Sequence, residues 1–213
     1  MATLPLRGSG PGPVSVDPEA RFVDFNGIGT VDVLLVLYFL AFFVLGFAQG
    51  TIRRLLGIGS ILFSFLLAAN LAGPLGDFLG SNWTQFPTSY SYMIAFGTVF
   101  VAGSIAFALV IQGFYRPQAL FQKSRFADEI IGGILGLVQA ALILGCSIVI
   151  LDSYYRIPGL PPDPQELPFL RDLWVALDGT RTVAFFRDTI IPAFFLLTGF
   201  LVPDSIESAY PRG

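Results

Sequence analysis

The chain has 213 residues, of which 54% are hydrophobic and only 13% charged, and its mean hydropathy is +0.72. That profile excludes an ordinary soluble domain and points to an integral membrane protein in contact with the lipid bilayer. A net charge of −3 with no basic cluster argues against nucleic acid as a partner; the absence of histidine and the single cysteine, Cys146, exclude an intrachain disulfide and argue against a transition-metal site or other cofactor.

Residues 1–30 are rich in Gly and Pro (LPLRGSGPGPVSVDP) and read as a flexible outer tail. The first apolar run starts too late, and has the wrong flanks, for a cleaved signal peptide, so it reads as an uncleaved membrane helix. That helix runs from about Val31 to Ala48. Asp32 lies at its start, either as a carboxylate facing the positive end of the helix dipole or as an ion-coupling acid. The junction Gln49-Gly50-Thr51-Ile52-Arg53-Arg54 is short enough to force a helical hairpin.

A second helix spans about Leu55 to Leu71. Gly57, Ser60, Ser64 and Ala68 recur every three or four residues, a stripe of small side chains that lets another helix approach. Asn70, Gly73 and Pro74 predict its end, and residues 75–91 read as a loop without basic residues, with Trp83, Tyr90 and Tyr92 at the interface. The third helix spans about Tyr92 to Phe114. Arg116, Lys123 and Arg125 follow in a loop that Pro117 keeps from continuing the helix.

The fourth helix, Asp128 to Asp152, contains no charged residue between Ile130 and Leu151. Twenty-two residues at 1.5 Å rise give ~33 Å, enough for a bilayer core. Gly132, Gly136 and Ala140 share one face and predict close packing, as does the pair Gly46 and Gly50 on the first helix. Gln139 is the deepest polar residue and is suited to bonding a neighbouring helix or to lining a substrate site. Arg53 and Arg54 either pair with Asp128 and Glu129 or contact lipid headgroups. The first and third loops hold Arg53, Arg54, Arg116, Lys123 and Arg125 whereas the second holds no basic residue, which places the first and third in the cytoplasm and both chain ends outside, opposed only weakly by Arg7 and Arg21 in the N-terminal tail.

Residues 153–213 change character. A short helix is expected around Pro168 to Leu177. A further helix at about 183–202 carries Arg187, Asp188 and Pro192, too polar for an easy span, and is expected to lie on or dip into the outer leaflet. The fold expected is an all-α membrane protein with four transmembrane helices in two hairpins, in a domain of residues 31–152, plus a C-terminal interfacial amphipathic helix. No catalytic residues emerge: there is no Ser-His-Asp set, no nucleophile elbow and no phosphate-binding loop.

In this order and spacing the residues resemble the colicin V production protein family of bacterial inner-membrane proteins. The resemblance rests on Asp32 followed by Gly46-x-x-x-Gly50-x-x-Arg53, on Ala68-Ala69 before Pro74, and on Asp128-x-x-x-Gly132-x-x-x-Gly136-Leu137-Val138-Gln139. The family commonly has a basic residue near the position of Gln139, where this chain departs. The resemblance covers about Val31 to Leu151. It implies a four-helix inner-membrane protein linked to toxin production or export and to envelope maintenance. The expectation is therefore a non-enzymatic scaffold or accessory protein that docks an unidentified membrane or envelope protein. The alternative is a small oligomeric transporter or channel, with homo-oligomers expected in that case.

Overall fold

The computed structural model describes residues 29–83, 85–114, 125–157, 164 and 166–199. These residues are almost entirely helical, with no strand among them. In chain order they form α1 (Thr30–Gln49), α2 (Thr51–Asn82), α3 (Thr88–Phe114), α4 (Arg125–Tyr155) and α5 (Pro168–Asp178). A last helical stretch follows as α6 (Arg181–Phe185), a π turn (Phe186–Ile190) and α7 (Ile191–Thr198). The first four helices are long and apolar enough to cross a membrane, so the chain is an all-α integral membrane protein. The expected N-terminal tail, Arg116 and Lys123 lie outside the described residues.

The chain reverses at Gly50, whose backbone sits at φ 76°, ψ 174°. A side chain is strained there, so the turn is built for glycine. After the turn α1 and α2 separate. Helix α1 lies along α4, and α2 lies along α3, with a smaller contact between α2 and α4 joining the two pairs. Nearest neighbours in sequence are thus not always nearest in space, because the close-packing glycines of α1 are matched on α4.

Helix α2 does not stop near Leu71 but runs through Pro74 to Asn82, and the expected loop at 75–91 shrinks accordingly. Proline removes one backbone donor, yet tertiary packing outweighs this loss. The Tyr92 ring lies directly on Gly76, and the Tyr92 hydroxyl donates to Asp77 one residue further. At 32 residues, α2 extends ~48 Å, well past a bilayer core.

The outward faces are apolar, as lipid contact requires: Leu34, Val36, Leu37, Leu40 and Val44 of α1 are all exposed. The core lies between α2, α3, α4 and the last helical stretch, centred on Phe65, Ala68, Phe96, Ile148, Val149 and Tyr154. The C-terminal helix dips into the bundle instead of lying along its surface. Val183, Phe186, Ile191 and Phe195 are buried, and α7 packs near Phe65 of α2 and Ala141 to Val149 of α4. Ala141 lies eleven residues, or ~16 Å, below Asp152 along α4. The helix therefore reaches towards the middle of the span.

Candidate functional site

Three arrangements of side chains stand out, and each begins with a local helical placement. The first is the seam between α1 and α4. Gly50 meets Asp128, Gly46 meets Gly132, Phe42 meets Gly136, and the Tyr38 hydroxyl donates to the Ala140 carbonyl at 3.0 Å. The two residue numbers of each pair move four apart in opposite directions, as two antiparallel helices with small residues on facing stripes must do. A methyl group added at Gly132 would lie 2.6 Å from the Gly46 carbonyl oxygen. One added at Gly46 or Gly136 would run into backbone carbonyl oxygens of the opposite helix. At the end of this seam the Thr51 hydroxyl donates to the Asp128 carbonyl at 3.1 Å. The buried Asp128 side chain leaves one carboxylate oxygen without a hydrogen-bond partner among the described residues.

The second arrangement closes the opposite end. Asp152, at the end of α4, has a fully buried side chain and takes a two-pronged contact from Arg187, with Nε at 2.8 Å and a terminal nitrogen at 2.7 Å. The Trp174 indole of α5 donates to the same carboxylate at 2.9 Å, and Arg187 also reaches Asp178. Beside this lock, the Tyr154 hydroxyl donates to Glu166 at 2.6 Å and Arg171 pairs with the other Glu166 oxygen. A chain of ring contacts from Trp83 through Phe86, Tyr90, Tyr154 and Tyr155 to Trp174 fills the space between. Asp32, at the start of α1, accepts from the Thr182 hydroxyl at 3.0 Å, so it ties α1 to the dipping helix.

The sequence expectation left these locking residues unassigned. Part of the signal for them was present: Arg187 in an apolar stretch is costly without a partner, and Asp152 closes the long uncharged run of the fourth helix. What the sequence does not give is the fold-back that joins them.

The third arrangement is the one with chemical potential. Arg54 is 5% exposed. It pairs with neither expected acid; its guanidinium turns into the bundle and donates to Gln139 Oε1 at 2.6 Å. The same guanidinium stands 5.8 Å from the centre of the Phe42 ring, a favourable cation–π distance. Its Nε has no hydrogen-bond partner among the described residues. Gln139 sits nine residues, or ~14 Å, above Ile130 along α4, so a positive charge is bonded to a side chain rooted near mid-span. Arg53, one residue earlier, is only half-buried, as is Glu129.

Gln139 also lines an open groove of about 400 Å³ between α2, α3 and α4. Gly57, Ser60, Ser104 and Ser147 line it too. The small-residue stripe of α2 therefore divides. Ser64 and Ala68 are fully buried, Ser64 against Gly103 of α3, whereas Gly57 and Ser60 face the groove. The Ser60 hydroxyl is turned back to the Leu56 carbonyl at 2.8 Å. A second groove of about 540 Å³ continues it along α3 and α4, and the two share Val101 and Ile105. Among the described residues no group of three or more His, Cys, Asp or Glu is placed to hold a metal ion.

Comparison with known proteins gives one finding. The family profile described as "Colicin V production protein" matches residues 31–177, which takes in all four spanning helices and nearly all of α5. No curated protein and no solved structure matches the chain. A match over this much of the chain, on a bundle whose glycine seam and four spans have the order the motifs require, shows that the chain belongs to the colicin V production protein family.

Proposed function

We propose that this protein is a non-enzymatic membrane scaffold, an accessory to toxin production or export and envelope maintenance, that docks a membrane or envelope partner. Its home in this reading is a bacterial inner membrane. The face carrying Asp32, Asp152 and α5 is extracytoplasmic, and the Gly50 turn is cytoplasmic, because Arg53 and Arg54 follow that turn whereas the α2–α3 loop carries no basic residue.

The observation that carries this reading is the paired groove along α3 and α4. Elsewhere the bundle closes on itself, through the glycine seam on one side and the ion-paired cap at the end. Along α3 and α4 it leaves a helix-long concavity lined by small side chains such as Gly97, Ala102, Gly57 and Ser60. Small residues on an unfilled face favour close approach of another helix. The dipping helix, in contrast, spends its large apolar side chains inside the bundle and is poorly placed to serve as the dock.

The test is capture of the tagged protein from native membranes in mild detergent, for the wild type and for Ala102→Trp. Ala102 is exposed and lines the groove, so the substitution fills the groove without entering the core. A partner at near-equal stoichiometry that is lost in Ala102→Trp supports the scaffold. Recovery of the protein alone, or of a partner indifferent to the substitution, contradicts it.

A second reading, a small oligomeric transporter or channel, draws on the Arg54–Gln139 pair at depth. In that reading Gln139→Leu abolishes a measurable flux through reconstituted vesicles while the protein stays folded.

A further inference from the structure

We infer that the groove between α3 and α4 receives a transmembrane helix carrying a carboxylate near its midpoint, held through Gln139 and the buried Arg54. The inference rests on the scaffold reading and specifies the chemistry of its partner.

The argument begins with charge. An arginine inside an apolar span is costly unless it is matched, and such residues in membrane helices face a partner or a ligand. Arg54 is buried, yet no carboxylate pairs with it among the described residues; its contacts are a neutral amide and an aromatic ring. One of its donors is unused. Arg54 is thus a buried guanidinium in the first turn of α2, near the buried Asp128 but bonded to no carboxylate, and its bond to Gln139 links it to a side chain near mid-span.

Gln139 conveys that charge to the groove. Arginine offers only donors, so the amide oxygen must face Arg54 and the amide nitrogen must point away. Gln139 is half-exposed and lines the groove, and its nitrogen has no partner among the described residues. Gly57 gives the amide its room: a methyl there would lie 2.9 Å from Gln139 Nε2. The guanidinium polarises the amide, so its free N–H groups form a stronger site for an anion than an isolated glutamine would.

Shape selects the occupant. The two grooves join at Val101 and Ile105 and extend from Met93 and Leu170 at one end to Gly57 and Ile111 at the other. That is the length of a span, open sideways to the bilayer and lined by small residues, as a helix requires. A second copy of this chain fits the charge poorly, because the acids of its described spans, Asp32, Asp77, Asp128, Glu129 and Asp152, all stand towards helix ends and none near mid-span.

The test uses full-length protein in vesicles and synthetic poly-leucine transmembrane peptides with Glu, Gln or Leu at the midpoint, with association read by energy transfer. The Glu peptide is expected to bind about tenfold more tightly than the Leu peptide, in line with interhelical hydrogen bonding in lipid. Gln139→Leu is expected to remove that preference while leaving the weak Leu-peptide binding in place. A thermal melt identifies any loss of folding, and Ser104→Leu, which fills the groove beside Gln139, provides a second variant that should block all three peptides. Equal binding of the three peptides, or a Glu preference that survives Gln139→Leu, overturns the inference. So does displacement of the Glu peptide by a fatty acid that itself binds tightly and depends on Gln139, since the site would then belong to an anionic amphiphile. If a native partner is captured through the groove but the Glu peptide shows no advantage, this inference fails and the scaffold reading stands. If no native partner is captured, the scaffold reading fails on its own test.

Discussion

At the residue scale, the α1–α4 seam depends on the absence of side chains. Gly46, Gly132 and Gly136 each face backbone of the opposite helix, where nothing can rotate out of the way. Gly136→Ala should therefore force the helices apart and cost about 1–3 kcal/mol, the usual range for overpacking. Gly59→Ala meets nothing within 4 Å and should be neutral or slightly stabilising. Thermal melting of both variants in one detergent measures the difference; equal melting temperatures would contradict the seam. These glycines were legible in the sequence, because a four-residue spacing places them on one face whatever the tertiary fold. Arg54 was not. Beside Arg53 it reads as one half of a basic pair at a membrane boundary. Only the helical phase distinguishes them: a step of about 100° turns Arg54 to Phe42 and Gln139 and leaves Arg53 half-exposed.

At the element scale, the last helical stretch is tied by Thr182 to Asp32 and, through its one buried ion pair among the described residues, by Arg187 to Asp152. Its apolar residues pack among Phe65, Ala141 and Val149, but Arg187 must be neutralised for the helix to dip at all. Breaking a buried pair from one side leaves an uncompensated charge and costs about 3–5 kcal/mol. Asp152→Asn should accordingly release α6 and α7 from the bundle. Cys146 reports this, because it is 3% exposed and lines the contact with Ile191 and Phe194. It should resist a thiol reagent in the wild type and react in Asp152→Asn. A thiol that stays protected in the variant would mean that apolar packing alone seats the helix. The sequence expectation reached the existence of this helix, but it set the helix on or in the outer leaflet, whereas its apolar side chains pack into the bundle. It could not supply the partners, because Asp152 and Arg187 are thirty-five residues apart and meet only when α5 folds back over the end of α4. The extension of α2 past Pro74 was hidden for a similar reason: Tyr92, from the next helix, supports it.

At the scale of the whole molecule, four spans form two antiparallel pairs, closed on one side by backbone contact and at one end by ion pairs and rings. That closure leaves the α3–α4 face as the open one, and the proposed scaffold takes its partner there. Four spans and the family were readable from apolar run lengths and motif order. The groove was not, since it arises from α3 packing on α2 and standing clear of α4. Site-specific photo-crosslinking in native membranes tests the dock directly, with a photoreactive residue at Ile105 in the groove or at Val36 on the outer face of α1, both well exposed. The expected result is a discrete protein adduct from Ile105 and only lipid adducts from Val36. Lipid adducts alone from both positions would contradict a docking function for this face.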